Sequence, residues 1–123
     1  MSAKPRLLLV DDNDRLRRAV GRLLERHFEV APAASKAEAL ALLDGGPAFD
    51  VMLTDLEMPG GSGDDLLAAV ADRGDPLHRR AVVWTGSELD AERRASFAER
   101  GIPLLSKGLA SAQIVQFLLG RLA

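Results

Sequence analysis

Arg6-Leu7-Leu8-Leu9-Val10-Asp11-Asp12-Asn13-Asp14 is the stretch whose reading decides the fold. An apolar run ends in a row of acids, and from Asp14 onward Leu16, Ala19, Val20, Leu23 and Leu24 recur at helical spacing. A buried strand, an acidic strand end and an amphipathic helix are therefore expected in direct succession. The same unit then repeats along the chain. Strands are predicted at 6–10, 28–31, 51–54, 81–85 and 102–106, and helices at 14–24, 35–44, 64–72, 90–100 and 111–122. Asp14 is the expected cap of the first helix, and Ser35 with Glu38 forms an expected capping box on the second. On the last helix the stripe Ile114, Val115, Leu118, Leu119 and Leu122 is expected to face the core, with Phe117 and Leu109 candidates for exposure. Unbroken strand-helix alternation implies a parallel sheet with helices on both faces, because right-handed crossovers leave few other solutions. The predicted class is α/β, a doubly wound five-stranded sheet with five helices. In such sheets ligands gather beyond the carboxyl ends of the strands, where the strand order reverses.

The chain of 123 residues is the size of one domain, 1–123. Hydrophobic residues make up 47% and charged residues 28%, as in an ordinary globular domain. A formal net charge of −2 and the absence of a lone basic run argue against a nucleic-acid surface. With no cysteine, disulfide and thiolate chemistry are excluded. No apolar run approaches the roughly 20 residues that span a bilayer, and no charged leader precedes an apolar signal segment. No membrane association and a cytoplasmic location are the expectations.

The strand ends carry Asp11 and Asp12, then Asp55, then Thr85, then Lys107. Three carboxylates brought to one edge repel one another and call for a cation or for protons. An all-oxygen donor set with room for water suits Mg2+, and the chain offers only His27 and His78 to a softer metal. Both histidines read as surface or helix-end residues. Each strand-end residue also has an ordinary role when taken alone. Paired acids cap helices, aspartate starts turns, threonine populates strands, and lysine is usually solvated. Only the constellation raises them to a site.

Asp11-Asp12, the segment Val51-Met52-Leu53-Thr54-Asp55-Leu56-Glu57-Met58-Pro59-Gly60, Trp84-Thr85-Gly86 and Ser106-Lys107 together resemble the receiver domains of two-component response regulators. The resemblance covers essentially the whole chain. It implies a flavodoxin-like receiver fold, with Asp55 as the phosphoacceptor assisted by Thr85 and Lys107. It further implies Mg2+ held by Asp12, Asp55 and the backbone carbonyl of Glu57, with Asp11 acting mostly through water. The implied phosphodonor is a histidine kinase or a histidine phosphotransfer domain, and the implied output is an unknown downstream protein, with no direct nucleic-acid contact. Such a domain assists its own phosphorylation and dephosphorylation without being an enzyme in the ordinary sense. Glu57 and Ser87 are the implied rate-tuning positions, and Thr85 and Leu104 the switch positions.

Two departures from the family pattern stand out. Gly108 follows the lysine where relatives carry proline, and Leu104 occupies the place of their switch aromatic. Leu105-Ser106-Lys107 is similar to the receiver segment of hybrid histidine kinases, so both a stand-alone protein and a kinase domain fit. A haloacid-dehalogenase-like phosphatase would use similar groups, but it places its nucleophile after the first strand, and Asp12-Asn13-Asp14 lacks the rest of that pattern. An interaction-only relative of the receiver domains is the third reading.

Overall fold

The computed structural model describes residues 4–86, 89–108 and 111–122. Among these residues, five strands alternate with five α-helices: β1 (Arg6–Val10), α1 (Asp14–Leu24), β2 (Glu29–Ala33), α2 (Lys36–Gly45), β3 (Val51–Asp55), α3 (Gly63–Asp72), β4 (Ala81–Thr85), α4 (Ala91–Glu99), β5 (Leu104–Ser106) and α5 (Ser111–Gly120). All strands pair in parallel, in the order β2-β1-β3-β4-β5. The order reverses between β1 and β3, so the ends of these two strands form the switch point.

Central strands buried on both faces need apolar residues at every position. Accordingly Leu7 to Val10, Val51 to Leu53 and Ala81 to Val83 are fully buried. Alternate side chains feed two cores. Leu8, Val10, Met52 and Val83 pack with Leu66, Leu67, Val70 and Phe97 on one face. On the other, Leu7, Leu9, Leu53, Val82, Trp84 and Leu105 pack with Val20 and Leu24 of α1 and Ile114 and Leu118 of α5.

Several boundaries differ from the sequence expectation for identifiable reasons. β2 begins at Glu29 and runs through Pro32 to Ala33. Phe28 instead closes the turn after α1 through its N–H to Leu24 O, with its ring buried. Pro32 is tolerated because β2 lies at the sheet edge, where only one side of the backbone has to pair. The cap of α1 is Asn13, whose Oδ1 accepts from Leu16 N at 3.0 Å, and Asp14 is the first helical residue. At α2 the Ser35 hydroxyl accepts from Glu38 N as expected, but Glu38 reaches back to Ala34 N, so the box is not closed on Ser35. The closed capping box is at α3, where Ser62 and Asp65 exchange bonds of 3.1 and 3.0 Å. A 3-10 turn at Pro76–Arg80, started by Pro76 and capped by Asp75, precedes β4.

β5 is limited to Leu104–Ser106, since Pro103 has no N–H to add to the ladder. α5 ends at Gly120, two residues short of the expected 122; on it Ile114 and Leu118 are buried, Val115 is half-buried, and Leu119 lies outside the stripe at 40% exposure beside Phe117 at 48%, while Leu122 is half-buried in the turn that follows. Leu109 lies outside the described residues. His27 is exposed just past α1, and His78 sits in the 3-10 turn with Nδ1 2.7 Å from Asp75 O.

Candidate functional site

Asp11 is the first residue beyond β1 and Asp55 the last of β3, so the switch point sets them side by side. Asp11 is fully buried, Asp55 is 5% exposed and Asp12 is exposed. One ligand oxygen from each of the three lies within 4.8 Å of the others. Lys107, just past β5, reaches across β4, with Nζ 3.0 Å from Asp11 Oδ2 and 3.3 Å from Asp55 Oδ1. The expected acids and the expected lysine thus meet at one point.

The surrounding backbone holds them there. Asp11 Oδ1 accepts from Asn13 N at 2.8 Å, Asp11 N donates to Ala33 O, and Asp11 O accepts from Arg17 Nη1 at 2.8 Å. Thr54 is buried and donates its hydroxyl to Asp55 O at 3.0 Å. Glu57 N lies 3.4 Å from Asp55 Oδ1, while the Glu57 side chain is exposed. Gly63 N donates to Leu56 O at 2.8 Å, and a Cβ on Gly63 would sit 2.4 Å from Asp55 O. Only glycine lets the start of α3 close against the loop that follows Asp55. Lys107 N donates to Thr85 O at 3.0 Å, which fixes the lysine backbone on the end of β4.

Burial pushes the Asp55 carboxyl up to about 6; the charge of Asp11 adds to this, the Lys107 ammonium opposes it, and Asp12 raises it further by sharing a hydrogen bond. For Lys107 burial pulls the other way, but the paired Asp11 and Asp55 outweigh it and hold the ammonium above the usual lysine range. Asp11 Oδ2 is buried and meets Lys107 as an ion pair without a well-directed hydrogen bond, which leaves it capacity for another cation. A buried nucleophilic carboxylate, a charged lysine and an all-oxygen acidic cluster form a set suited to a hard divalent cation and a phosphoryl group.

The sequence pattern of the response regulator receiver domain matches residues 7–119. The chain belongs to this family. It is 36% identical over 82 residues, 67% of its length, to the sensor histidine kinase TmoS of Ectopseudomonas mendocina, of which it spans only 8%. Among solved structures, the receiver domain protein from Clostridium thermocellum matches with a TM-score of 0.84 at 23% identity, covering 96% of this chain and 94% of that one. The Vibrio cholerae chemotaxis protein CheY4 matches at 0.83 and 26% identity, covering 98% and 100%. This receiver domain carries the acidic pocket in which the family binds Mg2+, and the three aspartates fit that ion by donor type and spacing.

The remaining expected positions fall as follows. Thr85 ends β4 beside the pocket and is 7% exposed. Leu104 opens β5 and, with Thr85, Phe97 and Ile102, lines a cavity of about 730 Å3 between α4 and β5. The Lys107–Gly108 bond is trans, and Gly108 N donates to Ser106 Oγ at 3.1 Å. Ser87 lies outside the described residues. Arg17, Thr54, Gly63 and the ring of Trp84 also shape the pocket, and the sequence reading gave none of them a part in positioning its groups. Gly63 had one legible signal, a glycine directly after the helix cap.

Proposed function

We propose that this receiver domain accepts a phosphoryl group on Asp55 from a phosphohistidine of a kinase or phosphotransfer protein, and passes the change to a protein partner. The observation that carries the reading is Asp55 at the switch point, flanked by Asp11 and Asp12 and contacted by Lys107 at 3.3 Å.

In the transfer, a carboxylate oxygen of Asp55 attacks phosphorus while the P–N bond to the donor imidazole breaks, leaving an acyl phosphate on Asp55 and neutral imidazole on the donor after protonation from water. Asp11, Asp12 and Asp55, with the Glu57 carbonyl, would hold Mg2+, which when bound supplies positive charge to the carboxylates and to the phosphoryl oxygens. Lys107 exchanges its contact with Asp55 for one with a phosphoryl oxygen. The Thr85 hydroxyl turns toward another as a donor. The exposed Glu57 side chain stands two residues after Asp55 and, with the family position held by Ser87, sets the lifetime of the acyl phosphate against hydrolysis. No helix among the described residues is long and apolar enough to cross a membrane.

The test is intact mass after incubation with acetyl phosphate, with and without Mg2+. One phosphoryl group is expected on the parent with Mg2+ and none on Asp55→Asn. Labelling that survives in Asp55→Asn would overturn the assignment.

A further inference from the structure

We propose that Trp84 is a positioning residue for Lys107: the face of its indole ring holds the lysine ammonium over the pocket and presents it to Asp55. The inference rests on the reading of Asp55 as phosphoacceptor.

The sheet register supplies the first observation. Trp84 pairs with Asp55 on one side and with Leu105 on the other. Paired residues of parallel strands project to the same face, and residues two apart on one strand do so again. Asp55, Trp84 and Leu105 therefore form one row on one face of the sheet, and Lys107 follows two residues after Leu105, just past β5. The contact itself is the second observation. Lys107 Nζ lies 5.2 Å from the centroid of the Trp84 ring, within the roughly 6 Å over which a ring face attracts a cation. Together with Asp11 at 3.0 Å and Asp55 at 3.3 Å, the ring confines the ammonium from a third direction.

The surroundings of the indole supply the third. Leu53, Val82 and Leu105 fill the same core, so packing alone would be satisfied by an aliphatic side chain here. A buried indole N–H usually finds a hydrogen-bond partner. Trp84 Nε1 is buried and has none among the described residues. The ring is thus held without the usual polar anchor, and its face toward Lys107 is the interaction that an aliphatic residue could not reproduce. A lysine side chain is long and flexible, and the pocket uses this one as a point charge. Fixing the ammonium before the phosphodonor arrives removes conformational freedom that would otherwise be lost during transfer.

The test has two arms. In the first, the rate of mass gain from acetyl phosphate at saturating Mg2+ is compared for the parent, Trp84→Phe and Trp84→Leu. Trp84→Leu is expected to be slower by roughly three- to tenfold and Trp84→Phe, which keeps a ring face, by less than about twofold. Equal rates for all three, or equal slowing in both variants, would overturn the proposal. The second arm needs no phosphodonor and leaves the core intact. Trp84 is the sole tryptophan, so its emission is recorded in the parent, Lys107→Met and Lys107→Arg. The emission is expected to change in Lys107→Met and to stay near the parent in Lys107→Arg, and unchanged emission in Lys107→Met would overturn the platform. A parent that gains no mass overturns the phosphoacceptor reading instead, and the emission arm still decides the role of Trp84.

Discussion

Asp55 shows how a functional carboxylate works against the fold that carries it. Its carboxyl is pushed up to about 6 by burial and by Asp11, from an ordinary value of 3.8. The folded chain then keeps this proton at a pH where the unfolded chain has lost it. Asp55 costs no folding free energy below its ordinary value, and the cost grows as pH rises until it is complete above about 6. In metal-free buffer Asp55→Asn is therefore expected to stabilise the protein at pH 7 by on the order of 3 kcal/mol. The gain should vanish toward pH 4, where the parent carboxyl is itself neutral. Urea denaturation of both proteins across this range is the check, and a gain no larger at pH 7 than at pH 4 would refute it. Asp12 is exposed and serves as the outer wall of the acidic cluster. Removing it in Asp12→Ala is expected to weaken Mg2+ binding by about tenfold or more, since few carboxylates hold the ion. Calorimetric titration decides this, and parent-like affinity would remove Asp12 from the ligand set.

At the scale of elements, the closest constraint is between β3 and α3. A Cβ on Gly63 would meet Asp55 O at 2.4 Å and Leu56 Cα at 3.0 Å, both of them backbone atoms that cannot rotate away. Gly63→Ala is expected to destabilise the domain by about 1–3 kcal/mol, the usual cost of overpacking. It should also slow labelling of Asp55 by moving its backbone. A variant with parent-like thermal stability would show that the loop yields. The second relation is between α3 and α4, where Arg93 and Arg100 both pair with Asp64 at 2.7 and 3.0 Å. These partly exposed pairs add little stability, but they tie the body of α4 to α3. Leu104 has no polar tip that could exchange partners on rotation, and a phosphoryl group shifts an equilibrium only through groups that meet it differently in two states. Amide shifts on adding a beryllofluoride mimic are therefore expected around Thr85, Gly86 and the start of α4, with α1 a candidate partner surface. Equal shifts across Leu104, Leu105 and α5 would show that leucine supports a wider switch.

For the whole molecule, the charge of the pocket is linked to folding. Three carboxylates with ligand oxygens held within 4.8 Å repel one another, and the single Lys107 ammonium beside Asp11 and Asp55 offsets only part of their charge. Mg2+ binds the assembled pocket and not the unfolded chain, so at 100 times its Kd it is expected to add about 2.7 kcal/mol of stability. Thermal melts against Mg2+ concentration should rise by several degrees in the parent, and Asp12→Ala should need higher Mg2+ for the same rise. A melting curve indifferent to Mg2+ would contradict the linkage.

What the sequence determined by itself was the order of elements and the residues at strand ends, because both are written locally. Apolar runs long enough to be strands, helical spacing after them and acids at the junctions can each be read within a dozen residues. The class of fold followed, since alternating units with buried strands have few packings. Local chemistry also misled where two residues compete for one job. Asn13 took the cap from Asp14, and Pro32 stayed in β2 because an edge strand has a side that needs no donor. Only the tertiary structure decided how the strand ends meet. The reversal of strand order between β1 and β3 sets Asp11 beside Asp55, and the width of one strand, β4, lets Lys107 reach both. The closeness of Gly63 to Asp55 O and of the Trp84 ring to Lys107 arises between segments distant in the chain. Spacing in sequence carries no signal for such contacts, because sheet register and close packing set the distances.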